Sequence, residues 1–278
     1  MNRLVLIDGN AILHRAYHAL PPLTSPDGKQ VNAVYGFVSI LLKLYHELQP
    51  TYIAVAFDRP KPTFRKELYK EYQAKRPEME EGLSSQIGIV HEVVASFNIP
   101  VFEFDGYEAD DVLGSLVKQA VVERRTQNSM TNQKPDEIVI VTGDRDLLQL
   151  VDDEKGVKVF MPVKGISEGK LFGEFDAKER VGVEPKKIPD YKALAGDQSD
   201  NYPGVPGIGP KMAAELIERF GSVEEVYQQI ESKVESRKSK VNNLLSERVV
   251  EKLKAGKESA LLSKNLATIR TDVPVDIQ

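Results

Sequence analysis

The run Leu4-Val5-Leu6-Ile7, which ends at Asp8, decides the fold class of this sequence. It contains only aliphatic residues, shows no alternation of apolar and polar positions, and is bounded too closely for a helix. Three more apolar runs of this kind follow, at 52–57, 101–104 and 138–141. Strands that are buried on both faces of a parallel sheet have this pattern. We therefore predict an α/β fold with a mainly parallel sheet and flanking helices.

Helical segments separate these runs. The stretches with apolar residues at helical spacing are 33–48, 87–97 and 112–122. A further strand is predicted at 157–161, and this layer should end near Phe172. The alternation of strands and helices is typical of an α/β domain, in which helices connect parallel strands and pack against the sheet.

The second part of the chain has a different pattern. From Phe175 onward the spacing of apolar residues is helical, and a stretch rich in glycine and proline interrupts it at 200–210. Such a stretch neither continues a helix nor lies inside a sheet. We therefore predict an α/β domain over 1–172 and a helical domain over 173–278.

Composition narrows the class of protein. The chain has 278 residues, a formal net charge of −5, four histidines and no cysteine, which excludes a disulfide framework, zinc–thiolate sites and a thiol nucleophile. No apolar run approaches the roughly 20 residues that cross a bilayer. Asp8 interrupts the N-terminal run before a signal-peptide core can form, so we expect a reducing, cytoplasmic setting. Net charge taken alone argues against a nucleic-acid partner.

Acidic residues follow each of the four apolar runs, where the predicted strand ends. Because the carboxyl ends of parallel strands share one edge of the sheet, seven carboxylates should converge there, and two more at 197 and 200 would add a second wall. The nine residues are Asp8, Asp58, Glu108, Asp110, Asp111, Asp144, Asp146, Asp197 and Asp200. Helix capping is the structural alternative. It explains a single aspartate equally well, but it does not explain three acids within 108–111.

A cluster of this kind needs a counter-charge, because neighbouring carboxylates raise one another's pKa and repel. All-oxygen ligands favour hard cations, so we predict Mg²⁺, with Mn²⁺ as a substitute. The number of acids indicates two ions, roughly 3.5–4 Å apart, which is an arrangement suited to hydrolysis of a phosphodiester. One buried calcium ion is the structural alternative, and it would not need nine acids.

A basic segment follows the second strand. Residues 61–76 include six basic and two acidic residues, a charge of +4. Three aromatic residues lie among them: Phe64, Tyr69 and Tyr72. Aromatic rings among cations can stack on bases while the cations hold phosphates. A solvated helix face is the alternative, but its i,i+4 pairs would join like charges such as Lys66 and Lys70. Nucleic-acid binding is therefore favoured.

A second candidate for phosphate contact is the stretch Gly204-Val205-Pro206-Gly207-Ile208-Gly209-Pro210-Lys211. A glycine turn that opens onto a helix, here predicted at 211–220, exposes backbone N–H groups to phosphate oxygens. The spacing is not that of a Walker loop. A tight turn without a ligand is the alternative. Lys211 favours phosphate binding, because a cation at the start of a helix is poorly placed against the helix dipole.

Taken together, these motifs resemble the 5′-nuclease (5′-to-3′ exonuclease, flap endonuclease) domain of bacterial DNA polymerase I and, more distantly, phage 5′-exonucleases. The matching segments are 6–10, 14–21, 33–37, 56–58, 63–65, 106–111, 142–146, 196–211 and 267–274. The resemblance covers essentially the whole chain. It implies a PIN-like α/β core, a helical arch at about 61–85, and a helical subdomain with a helix–hairpin–helix at about 190–221.

The resemblance also implies roles for individual residues. Those around the first metal ion are Asp8, Asp58, Glu108, Asp110 and Asp111, and those around the second are Asp144, Asp146, Asp197 and Asp200, some through water. Residues that would hold the 5′ strand and the scissile phosphate are Arg15, Arg65, Tyr72, Lys75 and Arg76. The expected catalytic residues are Asp8, Asp58, Asp144, Arg65, Lys75 and Arg76. In the hairpin, Gly207, Gly209 and Lys211 would contact duplex phosphates, with a bound K⁺ ion.

Two positions depart from the family pattern. The arch in most polymerase-linked members reads Tyr-Lys-x-x-Arg, but here 72–76 reads Tyr-Gln-Ala-Lys-Arg. Gln73 therefore replaces the usual lysine, and Lys75 is the nearest cation that could serve instead, so we expect an effect on the catalytic rate. Met212 replaces the threonine that usually follows Lys211.

The function that the resemblance implies is a Mg²⁺-dependent, structure-specific nuclease. It would hydrolyse DNA and RNA primers from a 5′ end and cut 5′ flaps, in primer removal and repair. The expected partners are DNA with 5′ flaps or 5′ ends, RNA–DNA primer junctions and a polymerase domain on the same chain. No membrane partner is expected. The protein is expected to be a monomer in the cytoplasm, at the bacterial nucleoid. Alternatives are a catalytically weak DNA-binding domain of the same fold and a phosphatase of small substrates, which has no use for a basic arch or a hairpin.

Overall fold

The computed structural model describes residues 1–125, 134–164, 168–235 and 246–276. The chain divides into two compact units. The first comprises 1–63, 77–174 and 269–278, and the second comprises 64–76 and 175–268. The sequence predicted two contiguous domains, whereas each unit here includes a piece of chain from the other side of the boundary. Hydrogen bonds within each unit, described below, account for both pieces.

Strands occur up to Phe172, with helices between them, and only helices follow from Glu174 onward in the described residues. In chain order the elements are β1 (Arg3–Asp8), α1 (Gly9–Ala19), α2 (Asn32–Leu48), β2 (Tyr52–Ala56), α3 (Phe64–Leu68), α4 (Glu81–Ser96), β3 (Val101–Phe102), α5 (Ala109–Arg125), β4 (Glu137–Val141), β5 (Val157–Lys164), β6 (Glu168–Phe172), α6 (Glu174–Val181), α7 (Ile188–Ala195), α8 (Pro210–Phe220), α9 (Val223–Glu235), α10 (Glu247–Ala255) and α11 (Lys257–Ala267). Two short 3₁₀ helices lie at Asp146–Leu150 and Pro185–Lys187.

The sheet of the first unit confirms the predicted fold class. Its strand order is β3-β2-β1-β4-β5-β6, and all neighbours are parallel except β5 and β6. Leu6 pairs with Ala54 on one side and with Ile140 on the other, so β1 lies in the middle of the sheet. The absence of alternation follows from this position, because Val5, Leu6 and Ile7 are all buried.

The order of the strands places a switch point between β1 and β4. From β1 the chain builds outward through β2 and β3, and it then crosses to the other side of β1 to begin β4. In open parallel sheets, ligands bind outside the carboxyl ends of the strands at such a point. Asp8 at the end of β1 and Thr142 after β4 therefore flank the expected binding crevice.

Some boundaries differ from those that the sequence predicted. β3 ends at Phe102 rather than at 104, and α4 begins at Glu81 rather than at 87. β6 is an antiparallel edge strand that the apolar pattern did not predict, because its first three residues are exposed. Edge strands are solvated on one side, so their sequences lack a continuous apolar run.

The second unit is helical, and its core lies among α7, α8, α9, α10 and α11. Within it, residues 196–209 form a glycine-rich connection between α7 and α8. Gly196 and Gly204 both have positive φ angles, of 72° and 60°, and their backbones meet so closely that a Cβ atom on Gly204 would lie 2.2 Å from the Gly196 nitrogen. Ser263 of α11 accepts the Gly204 N–H, and Ser259 donates to the Gly204 carbonyl.

No helix within the described residues is long and apolar enough to cross a membrane.

The close approach at Gly204 predicts that Gly204→Ala destabilises the second unit. We expect a loss of about 2–5 kcal/mol in the free energy of unfolding, because the substitution adds both a steric clash and backbone strain. Gly28→Ala is the matched control: Gly28 also has a positive φ, of 84°, but nothing lies within 4 Å of its added Cβ, so only the strain of about 1–2 kcal/mol remains. Urea unfolding measures both. Equal losses would contradict the close approach.

Candidate active site

Asp8 lies at the end of β1, at the switch point, and is buried. Its carboxylate accepts hydrogen bonds from the Ala11 N–H at 2.9 Å and from the Thr142 hydroxyl at 2.7 Å. Asp8 is thus the N-cap of α1, as the capping alternative proposed, and it also faces the end of β4. Burial raises the pKa of Asp8 to about 7; the two hydrogen bonds oppose this rise, and the charges of Asp58 and Asp144 add to it.

Asp58, just after β2, connects the two neighbouring strand ends. Its backbone N–H donates to the Asn10 side chain at 2.9 Å, and its carboxylate accepts the Ala109 N–H at the start of α5, at 2.7 Å. The preceding residue, Phe57, packs flat against Gly9, where a Cβ atom would lie 2.3 Å from the ring. A side chain at position 9 would therefore displace Phe57, and Gly9 keeps the ends of β1 and β2 in close contact.

Asp110 lies in the first turn of α5 and feels the charge of four other acids. Burial raises its pKa well above the ordinary value, and the charges of four carboxylates raise it further. Those carboxylates belong to Asp144, Asp8, Glu108 and Asp58. The structure therefore brings together five of the nine predicted acids, from the ends of β1, β2 and β4 and the start of α5.

Asp111, the next residue of α5, contacts the backbone. Its side chain is fully buried, and it accepts the N–H of Glu108 at 3.1 Å and the N–H of Arg270 at 2.8 Å. Its carboxylate thus caps α5 and attaches the segment that begins at Ile269 to the first unit. Its assignment as a metal ligand stays a prediction.

Asp144 and Asp146 follow β4. The Asp146 N–H donates to the Asp144 carboxylate at 2.8 Å, which fixes the start of the 3₁₀ helix. Thr142 is buried, donates to Asp8 and accepts the Asp144 N–H at 2.9 Å. The sequence analysis did not identify Thr142 or Asn10 as site residues. Both lie in the segments that carry the family resemblance, next to an acid at a strand end, and that position was the available signal.

The donor set of this group suits a hard divalent cation, because all its side chains are carboxylates and their mutual repulsion requires positive charge. Within the ranges that the structure describes, no three aspartate, glutamate or histidine side chains are already arranged to hold a metal ion. Two of the carboxylates, those of Asp8 and Asp58, accept backbone N–H groups instead.

Asp197 and Asp200 belong to the second unit, and each has a basic partner there. Burial tends to raise the pKa of Asp197, but the Lys192 ammonium at 2.6 Å and hydrogen bonds from Ser199 outweigh it, so that the pKa falls to about 2. Asp200 pairs with Arg76, also at 2.6 Å. The sequence analysis did not identify these cations as partners, because Arg76 is distant from Asp200 in the chain and no local pattern pairs Lys192 with Asp197.

Two residues of the basic segment are buried within the second unit. Arg65 is 3% exposed and donates to the carbonyl oxygens of Leu266 and Thr268. Tyr72 is also 3% exposed, and its ring packs against Tyr202. Both side chains attach 64–76 to the second unit in this structure, and their assignment as DNA-binding residues, like that of Arg65 as catalytic, stays a prediction.

The remaining predicted DNA contacts are accessible. Lys75, Arg76, Gly207, Gly209 and Lys211 are exposed, and Arg15 is half-buried. Gly207 has a φ of 81°, and its carbonyl oxygen accepts a hydrogen bond from the Lys252 ammonium at 2.9 Å. α8 begins at Pro210 without a side-chain cap, so its first N–H groups have no capping side chain. The hairpin thus combines N–H groups with two lysines.

Two family models account for this architecture. The model described as the 5′-3′ exonuclease N-terminal resolvase-like domain matches residues 3–182, and the model described as the 5′-3′ exonuclease C-terminal SAM fold matches residues 183–278. The chain therefore belongs to the 5′-3′ exonuclease family, and the resemblance seen in the sequence is confirmed.

Two bacterial relatives are named DNA polymerase I. The chain is 46% identical over 276 residues to DNA polymerase I of Caldicellulosiruptor bescii, covering 99% of the chain and 30% of the relative. It is 39% identical over 275 residues to DNA polymerase I of Bacillus subtilis, covering 99% and 28%. The chain thus spans less than a third of the length of these relatives.

Solved structures show the same fold. A T5 5′-exonuclease with bound divalent zinc ions matches with a TM-score of 0.72 at 22% identity, covering 97% of this chain and 90% of the other. A T5 flap endonuclease in a pseudo-enzyme–product complex with DNA and metal ions gives the same TM-score, identity and coverage. The catalytic core of Rad2 in complex with DNA is more distant, with a TM-score of 0.58 at 16% identity, covering 98% and 80%.

The neighbouring residues Asp110 and Asp111 should respond in opposite ways to the loss of charge. Asp111→Asn should lower the free energy of unfolding by about 1–3 kcal/mol, because two buried backbone donors lose a charged acceptor. Asp110→Asn should raise it, because a buried and repelled charge is removed. Urea unfolding of both variants in EDTA measures these changes. At about pH 8 more of Asp110 is ionised, so the effect of removing its charge is larger. Equal destabilisation by both substitutions would contradict this account of the cluster.

Proposed function

We propose that this chain is a divalent-metal-dependent, structure-specific 5′ nuclease, which hydrolyses DNA from a 5′ end and cuts 5′ flaps, and which also removes RNA primers. The observation that carries the proposal is the group Asp8, Asp58, Glu108, Asp110 and Asp144 at the switch point of the sheet. A protein gains nothing in stability from burying repelling carboxylates. Groups perturbed in this way, at a crevice that binds ligands, mark a functional site.

The proposed cofactor is Mg²⁺, with Mn²⁺ as a substitute, bound as two ions. The proposed ligands of the first ion are Asp8, Asp58, Glu108, Asp110 and Asp111, and those of the second are Asp144, Asp146, Asp197 and Asp200. When bound, two such ions lower the pKa of water and stabilise charge on the phosphate.

The chain's own residues would perform the positioning. Thr142 holds Asp8 and the backbone of Asp144 at fixed distance from each other. Asn10 holds the backbone of Asp58. These bonds hold the Asp8 carboxylate and the backbones of Asp58 and Asp144 at the ends of β1, β2 and β4, and rigidly held ligands keep the reacting groups in one geometry.

DNA binding is proposed to use the exposed cations. Lys75, Arg76 and the half-buried Arg15 would hold the 5′ strand, and the Gly207–Lys211 hairpin would hold duplex phosphates through its N–H groups. The Lys252 ammonium group donates a hydrogen bond to the Gly207 carbonyl oxygen. A K⁺ ion bound at the hairpin is a further proposal.

The biological setting is also a proposal. The relatives named DNA polymerase I are more than three times as long as this chain, and this supports a polymerase domain on the same polypeptide. Primer removal and repair at RNA–DNA junctions, by a monomer in the bacterial nucleoid, would follow from that arrangement. A catalytically weak DNA-binding domain of the same fold is the outcome that remains if no cleavage is found.

The direct test is cleavage of a duplex that carries a labelled 5′ flap, with Mg²⁺ and with EDTA. We expect cleavage at the junction with Mg²⁺ only. Asp144→Asn should abolish cutting and leave DNA binding largely intact, because it removes a ligand of the metal and not a contact to DNA. Asp276→Asn is the matched control, since Asp276 is exposed and lies outside the acid group.

Two results would contradict the proposal. Absence of metal-dependent cleavage would reject the enzyme and leave the DNA-binding domain. Equal loss of cleavage and of binding in Asp144→Asn would reject the assignment of Asp144 to the metal.

A further inference from the structure

Gln73, the residue that replaces the usual arch lysine, makes two hydrogen bonds to Asp200. Its backbone N–H donates to the Asp200 carbonyl oxygen at 2.8 Å, and its side-chain amide donates to the Asp200 Oδ1 atom at 3.3 Å. Gln73 also has a φ of 54°, in the left-handed region. Outside glycine such a conformation persists where surrounding contacts hold it. The two bonds to Asp200 are such contacts, together with the bond from the Arg76 N–H to the Gln73 carbonyl oxygen at 3.0 Å.

Further contacts join the same two pieces of chain. Arg76 donates to the same Oδ1 atom at 2.6 Å, and Asp200 is only 9% exposed. The Asn201 side chain donates to the Glu71 carbonyl oxygen at 2.6 Å. The rings of Tyr72 and Tyr202 stack with centroids 6.5 Å apart. Residues 71–76 are therefore docked along 200–202 by backbone, amide, ionic and aromatic contacts together.

We propose that Gln73 is a positioning residue that docks the segment 64–76 onto the loop 197–202, and that this docking competes with metal binding for the Asp200 carboxylate. The inference rests on the proposed function, which assigns Asp200 to the second metal ion. It gives Gln73 a role of its own, rather than that of a lost lysine.

Charge explains the competition. The Asp200 Oδ1 atom already accepts one neutral and one cationic donor. A divalent cation at the same carboxylate repels the Arg76 guanidinium a few ångströms away. Arg76 would then leave Asp200 and become available to a phosphate, for which its planar group is well suited. The neutral amide of Gln73 holds the carboxylate without adding a second cation that would oppose the metal.

Hydrogen–deuterium exchange of the whole chain in EDTA tests the docking. The backbone amides of 69–76 should be protected in the unaltered protein. Gln73→Met keeps the length of the side chain and the backbone N–H but removes the amide, so exchange should become about tenfold faster, as expected for one hydrogen bond to a charged group. Gln73→Glu should accelerate it more, because it places a like charge against Asp200. Gln228→Met is the control, since Gln228 is exposed on α9, and it should change nothing.

Adding Mg²⁺ tests the competition. In the unaltered protein Mg²⁺ should raise exchange in 69–76, and in Gln73→Met the midpoint of this response should fall to lower Mg²⁺ concentration. A structural role alone would not move that midpoint. Asp200→Asn should remove the response to Mg²⁺. Circular dichroism confirms that each variant is folded.

Unchanged exchange in Gln73→Met, or protection of 69–76 that Mg²⁺ does not alter, would overturn the inference. These readouts need neither DNA nor cleavage. If the protein cuts flaps but Mg²⁺ does not alter exchange in 69–76, the competition is rejected and the nuclease is not. If Mg²⁺ alters exchange but no flap is cut, the nuclease is rejected and the docking is supported.

Discussion

The repulsion among buried carboxylates at the carboxyl edge of the sheet is the constraint on which the rest of the structure depends. Asp8 and Asp110 keep raised pKa values because burial and neighbouring acids both disfavour their charge. Local contacts fix this edge of the sheet. Thr142 bonds both Asp8 and the backbone of Asp144, and Gly9 lets Phe57 pack closely against it. A fold that stores unfavourable charge at its switch point recovers that cost when a cation binds.

The acids of the second unit show the contrast. Lys192 neutralises Asp197, and Arg76 neutralises Asp200, both at 2.6 Å. Those two carboxylates are paired with cations within the folded chain, whereas burial, and then the charges of neighbouring acids, raise the pKa of Asp110. Positive charge from outside the protein is thus needed most at the sheet edge, and a cation that reached Asp200 would have to displace an arginine.

The sequence allowed the sheet and the site edge to be predicted, because both depend on local pattern. Uninterrupted aliphatic runs such as Leu4–Ile7 mark central strands, and the carboxyl ends of parallel strands converge wherever the strands pair. The strand order could not be read, since no local signal states which strands are neighbours. β6 was missed because an edge strand with an exposed face lacks the apolar run.

Individual side chains in the site were harder to assign, because a residue type does not state its partner. Asp111 is next to Asp110 in the chain, yet a helix turns adjacent side chains about 100° apart, so one reaches the acids and the other the backbone of Arg270. Arg65 and Tyr72 have the composition of a strand-binding surface, and tertiary contacts to Leu266 and Tyr202 bury them instead. The tight turn at Gly204 was easier to predict, because a stretch rich in glycine and proline indicates a turn directly.

The central claim is that the acid group at the end of β1, β2 and β4 is built to accept divalent cations. Urea unfolding of the whole chain over a series of Mg²⁺ concentrations, at constant ionic strength, tests it most directly. The account predicts that the free energy of unfolding rises with Mg²⁺, by about 2.7 kcal/mol at a hundredfold excess over the dissociation constant for one ion. A free energy of unfolding that does not change with Mg²⁺ would contradict it.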